Sequence, residues 1–127
     1  MDTGIRDVKY IIAGGRDFDD IEFLAWKSTA ILRDFPKDII TIVSGCAKGA
    51  DTLGEKFAEA MKLKVQRMPA DWDKHGKAAG AIRNQQMAQE ADALIAFWDG
   101  VSKGTKDMIT KAINYGLEVH IYRYETS

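Results

Sequence analysis

The sequence predicts an α/β fold built on a five-stranded parallel sheet with helices on both faces. Two patterns carry that prediction. Short apolar runs of strand type alternate with longer amphipathic stretches of helical period, in the order β-α-β-α-β-α-β-α-β. Glycines follow the first, second and fourth apolar runs, where a chain leaving a strand must turn into a helix. Strands separated by helices of this length pair in parallel through right-handed crossovers. No repeat, low-complexity tract or linker interrupts the pattern, so residues 1–127 read as one domain.

The first strand is the run Tyr10-Ile11-Ile12-Ala13, stopped by Gly14-Gly15. A helix is expected from Asp19, because Ile21, Leu24, Ala25, Ser28, Ile31, Leu32 and Phe35 fall on one face. Asp19 and Glu22 have the spacing of a capping box, and Pro36 ends the helix by excluding helical geometry before it. The second strand, Ile39 to Val43, runs into Ser44-Gly45. The second helix follows from Ala50 to Met61, with Leu53, Phe57, Ala60 and Met61 inward. Lys64 to Met68 is the third strand, closed by Pro69. Asp71 to Gly80 has little apolar content and reads as loop. The third helix covers Ala81 to Ala91 and the fourth strand Ala93 to Phe97. After a loop at Gly100 to Gly104, Met108, Ile109, Ala112 and Ile113 mark the fourth helix. Gly116 closes that helix in left-handed geometry, and Glu118 to Tyr122 is the fifth strand.

Composition narrows the function. With 46% hydrophobic and 29% charged residues, the chain can pack a core and is not of the disordered class. A single cysteine, Cys46, excludes an internal disulfide and a zinc ribbon. It has no evident base partner and reads as a small buried residue. His75 and His120 lack metal-ligand spacing, so neither a metal nor another cofactor is expected. No apolar run reaches the roughly 18 residues of a membrane span, and the opening lacks signal-peptide character. A cytoplasmic protein with no membrane partner is the expectation. Eighteen basic against nineteen acidic residues give a net charge of −1, which makes nucleic acid an unfavoured partner. Positive charge can still gather at one edge.

Ligands of open α/β sheets bind beyond the carboxyl ends of the strands, where the strand order reverses. A Rossmann-like three-layer sandwich of order 3-2-1-4-5 would bring the three glycine loops around one crevice. The other common order, 2-1-3-4-5, would separate strands one and four. The loops supply Gly14, Gly15, Arg16 and Asp17; then Ser44, Gly45, Lys48, Gly49 and Asp51; then Gly100, Ser102, Lys103, Gly104 and Thr105. Glycine permits close backbone approach, and a following helix offers free N–H groups, so such loops suit phosphate. Any one of them could be a simple tight turn; the three together favour an anion site. Neither a Walker A motif nor a complete G-x-G-x-x-G is present, which disfavours an ordinary P-loop ATPase or a dinucleotide dehydrogenase.

Arg83 could grip a phosphate and Asn84 could read a sugar or base, or Arg83 could be an ordinary surface arginine. Asp17 and Asp51 suit either ribose hydroxyls or the start of a helix. Trp72 and Trp98 follow strands at the ligand edge, where each could stack on a base or pack internally. Trp26, opposite the apolar face of its helix, and the ending Tyr122-Arg123-Tyr124 point to a homodimer or higher homo-oligomer.

Taken in order, Gly14-Gly15-Arg16-Asp17, Ser44-Gly45-Cys46-Ala47-Lys48-Gly49-Ala50-Asp51, Arg83-Asn84-Gln85-Gln86-Met87 and Gly104-Thr105 resemble the SLOG superfamily, in its small YspA-like branch. The second segment is also similar to the nucleotide-fold loop of DprA-type DNA-processing proteins, and the last two to LOG-type phosphoribohydrolases. The resemblance implies a pocket for a nucleotide or nucleotide-derived ligand with its phosphate in the glycine loops, in a sensor or sequestering domain. LOG enzymes imply an alternative, hydrolysis of the N-glycosidic bond of a nucleoside 5′-monophosphate. Single-stranded nucleic-acid binding is a lesser one. In the LOG pattern an arginine, here Arg83, works with a glutamate three residues beyond the Gly-Thr threonine. That position is Met108, which can neither activate water nor offset positive charge. Asp107, Asp17 or Asp51 would have to replace it.

Overall fold

Five parallel strands form the sheet of the computed structural model, which describes residues 6–125: β1 (Val8–Gly14), β2 (Ile40–Ser44), β3 (Lys64–Arg67), β4 (Ala93–Trp98) and β5 (Glu118–Arg123). Their order is β3-β2-β1-β4-β5. The chain therefore reverses direction across the sheet between β1 and β4, and the expected switch point lies there. In register, Ile11 stands beside Val43 of β2 and Leu94 of β4.

Helices α1 (Ile21–Leu32) and α2 (Ala50–Ala60) cover one face; α4 (Ala79–Glu90) and α5 (Lys103–Asn114) cover the other. The period-two alternation of β1 feeds both cores. Tyr10 and Ile12 pack with Leu24, Leu32, Phe57 and Phe97, while Ile11 and Ala13 pack with Met87, Leu94, Met108 and Ile109. Each fully buried Ile, Leu, Phe or Met side chain among these contributes about 1.5–3 kcal/mol relative to exposure. The three-layer Rossmann-like arrangement follows from strands that are apolar on both sides.

Several local expectations shift. Asp20 caps α1, its Oδ1 accepting from the Phe23 amide at 3.0 Å. Asp19 is thus one residue too early to be the cap. The helix stops at Leu32, and a turn carries the chain through Phe35 to Pro36. On α2 the inward face is Ala50, Asp51, Gly54, Phe57 and Ala58, whereas Ala60 is exposed. The segment expected to be loop is mostly helical. Asp71 caps a four-residue turn, α3 (Trp72–His75), and a 3-10 turn at Gly76–Ala78 leads into α4. These turns are exposed, so no apolar period announces them. Lys103 already belongs to α5, and Ile113 on that helix is exposed. Gly116 adopts φ 77°, the left-handed cap read from the sequence. No helix among the described residues is long and apolar enough to cross a membrane.

Candidate functional site

The carboxyl ends of β1, β2 and β4 are held together by loop-to-loop hydrogen bonds. The Gly15 amide donates to the Phe97 carbonyl at 3.1 Å, and the Ala50 amide donates to the Gly15 carbonyl at 3.1 Å. Gly49 makes the second contact possible. Its φ is 79°, and a Cβ there would run into the Gly15 and Arg16 carbonyls. The β1–α1 loop is fixed from its other side by Tyr124. That hydroxyl occupies the space a Gly15 side chain would need and donates to Asp17 Oδ1 at 2.6 Å. The Tyr124 ring meets Phe18 edge-on, with centroids 4.9 Å apart. Burial and the Asp17 carboxylate both push the Tyr124 phenol upward.

Beyond these loops lies an open cleft of about 480 Å³. Of the residues expected at the site, it gathers Gly14, Arg16, Asp51, Arg83, Asn84, Ser102, Lys103, Gly104, Thr105 and Asp107. Trp72 stands half exposed at its rim, leaning over Gly80, and Met87 and Met108 give it an apolar floor. The small residues Ala13, Gly80 and Ala81 also line it; their only trace in the sequence is the run of Ala and Gly before Arg83.

Arg83 projects from the second turn of α4. Its Nη1 donates to the Gly45 carbonyl and its Nε to Asn84 Oδ1 at 2.9 Å. A Cβ on Gly45 would lie 2.6 Å from that Nη1 and 2.8 Å from Asp51 Oδ2, so only glycine admits both groups. Asn84 is buried and fully employed. Its Nδ2 donates to Asp107 Oδ2 at 2.9 Å and to the Gly104 carbonyl at 3.4 Å. It therefore links Arg83 to the start of α5. Asp107 is further neutralised by Lys111 at 2.8 Å.

At the start of α5, Ser102 makes no side-chain hydrogen bond to the helix backbone. Lys103, Gly104 and Thr105 thus line the cleft with no capping side chain on their amides, an arrangement that favours an anion. Asp51, in the first turn of α2, is 5% exposed and accepts from the Ala47 amide at 3.2 Å. Burial, reinforced by Glu55, pushes its carboxyl up to about 6 against the opposing pull of the Ala47 amide, Arg83 and Arg16.

The remaining expected residues lie outside the cleft lining. Ser44 is buried and donates to Glu55 Oε2 at 2.6 Å, and Arg67 Nε holds the other Glu55 oxygen at 2.7 Å. Glu55 on α2, which the sequence did not single out, thus ties the end of β2 to β3. Gly100, at φ 91°, turns against the Arg123 guanidinium while Asp99 accepts from the Val101 and Ser102 amides. Those two amides hold the Asp99 carboxyl below its usual value. Asp17 and Lys48 face a separate depression with Gly49, and Gly15 serves the loop clamp. Trp98 packs within the β4–α5 loop, donating Nε1 to the Ser102 carbonyl at 3.1 Å. Cys46 is half-buried in left-handed geometry, with its thiol pushed up by burial. No cluster of His, Cys, Asp and Glu among the described residues is placed to hold a metal.

Residues 8–75 match the profile of the YspA, cpYpsA-related SLOG family. The chain belongs to that SLOG family. Gene 61 protein of Mycobacterium phage D29 is 32% identical over 118 residues, spanning 87% of this chain and 93% of that protein. DNA processing protein A (DprA) from Streptococcus pneumoniae shares the fold, with a TM-score of 0.67 at 18% identity. The superposition covers 91% of this chain, which spans half the length of that protein. In this SLOG domain the matched segment contributes β1 to α3, and with them Arg16, Asp51 and Trp72. Arg83 and the α5 start complete the cleft from beyond it.

Proposed function

We propose that this SLOG domain binds a nucleotide-derived small molecule in the cleft, as a sensor or sequestering module. One observation carries the reading. Arg16, Arg83 and Lys103 share a single cleft with the uncapped start of α5, and the aromatic face of Trp72 stands at its rim. Cations and free amides suit a phosphate; an exposed indole at the rim of an apolar floor suits a base. Arg83 keeps donors to spare after its bonds to Gly45 and Asn84. Thermal shift with a panel of nucleoside 5′-monophosphates tests this. Ligand-induced stabilisation should appear in the wild type and vanish in Arg83→Ala, whose ligand-free fold should survive. Stabilisation that persists in the variant removes Arg83 from the site.

A second reading, N-glycosidic hydrolysis, is favoured by Asp51. Met108, at the position of the expected glutamate, is buried in the core at 2% exposure. Asp17 is engaged by Tyr124 outside the cleft, and Asp107 by Asn84 and Lys111. Asp51 alone of the three faces the cleft without such a side-chain partner, and its raised affinity for protons suits a general base near neutrality. The same incubations decide it by chromatography. Free base accumulating with time supports hydrolysis, and an unchanged pool at stoichiometric protein removes it.

A further inference from the structure

Arg16 stands between two concavities. On one side it lines the cleft; on the other it lines a shallow depression of about 320 Å³ between the β1–α1 and β2–α2 loops. Lys48 belongs to the depression and not to the cleft. Both cations are exposed, and neither forms an ion pair among the described residues. Of the two carboxylates that line the depression, Asp17 is occupied by the Tyr124 hydroxyl and Asp19 is exposed. The wall between the two cations is preset, because Gly49 and the Ala50–Gly15 hydrogen bond lock one loop onto the other. Arg16 lines both concavities, so a phosphate chain leaving the cleft past it comes next to the depression that holds Lys48, between loops already fixed to each other.

We propose that the ligand carries a second phosphate beyond the one held in the cleft, running from Trp72 past Arg16 to Lys48. The ligand class is then a nucleoside diphosphate, or a nucleotide with a pyrophosphate of that length. This rests on the cleft being a nucleotide site. A lysine–phosphate contact is charge-assisted, so its loss is worth about tenfold in affinity.

Calorimetric titration of AMP and ADP, used as probes, into the wild type and Lys48→Ala tests the assignment. Lys48 is exposed and packs in neither core, so the variant keeps the fold. ADP should bind the wild type about tenfold more tightly than AMP, and Lys48→Ala should erase that gain while leaving AMP unchanged. Equal affinity for AMP and ADP overturns the second phosphate. A gain for ADP that survives Lys48→Ala overturns its placement. Either result leaves the cleft reading standing, whereas binding of neither probe overturns both.

Discussion

A carboxyl group that opens a helix is usually stabilised as an anion, yet at Asp51 desolvation wins. Its ordinary value of 3.8 rises to about 6. Between those values the folded state holds a proton that the unfolded chain has released, so Asp51 makes stability fall as pH rises from about 4 to about 6. Above that range the penalty is complete and constant. Asp51→Asn removes it while keeping an oxygen for the Ala47 amide. The ligand-free variant should therefore be more stable than the wild type at pH 7, by at most about 3 kcal/mol, and no more stable at pH 4. Urea melts of both proteins across that range check this; parallel pH profiles would show that the carboxylate is not penalised. A retained penalty of this kind is the usual mark of a group kept for function rather than for folding.

At the scale of an element, α2 lies on the sheet because Gly54 lets it. A Cβ at that position would lie 2.8 Å from Ile12 Cγ2 and 2.9 Å from Ile12 Cβ, on the central strand. Alanine raises helix propensity by about 1 kcal/mol. Overpacking against a branched side chain on an immobile strand costs about 1–3 kcal/mol. The second effect should win, and Gly54→Ala should lower stability by up to about 2 kcal/mol, read from the urea midpoint at unchanged slope. A variant more stable than the wild type would mean that α2 can slide on the sheet. Since α2 carries Asp51 and its preceding loop carries Lys48, the same substitution moves both sides of the Arg16 wall.

The whole molecule carries a net charge of −1, so the phosphate attraction proposed for the cleft would be local and not a property of the surface. A single-stranded oligonucleotide should therefore bind no more tightly than a mononucleotide, with a shallow dependence on salt. Fluorescence titrations at two salt concentrations check this, since a polyanion-binding surface would lose affinity steeply. The glycines that follow β1, β2 and β4 favoured 3-2-1-4-5 over 2-1-3-4-5, the other common order, and the apolar pattern alone did not choose between them. Arg83 was readable through its family-like segment. The division of the loop residues between cleft and depression was not, because it follows from contacts between segments far apart in the chain, such as Ala50 to Gly15 and Tyr124 to Asp17. Nor was the employment of Asn84, whose partners Gly104 and Asp107 lie on another helix. Asp71 to Ala78 escaped notice because exposed turns need a cap but no apolar period.

The Tyr124–Asp17 bond joins residues 107 positions apart, and it fixes the loop that carries Arg16. During synthesis, β1 and its loop leave the ribosome long before the tyrosine that secures them. Arg16 acquires its lasting place only when the fifth strand has been delivered and docked. The cleft is thus a feature of the finished domain, and a nascent chain holding every glycine loop still lacks one of the bonds that fix them together.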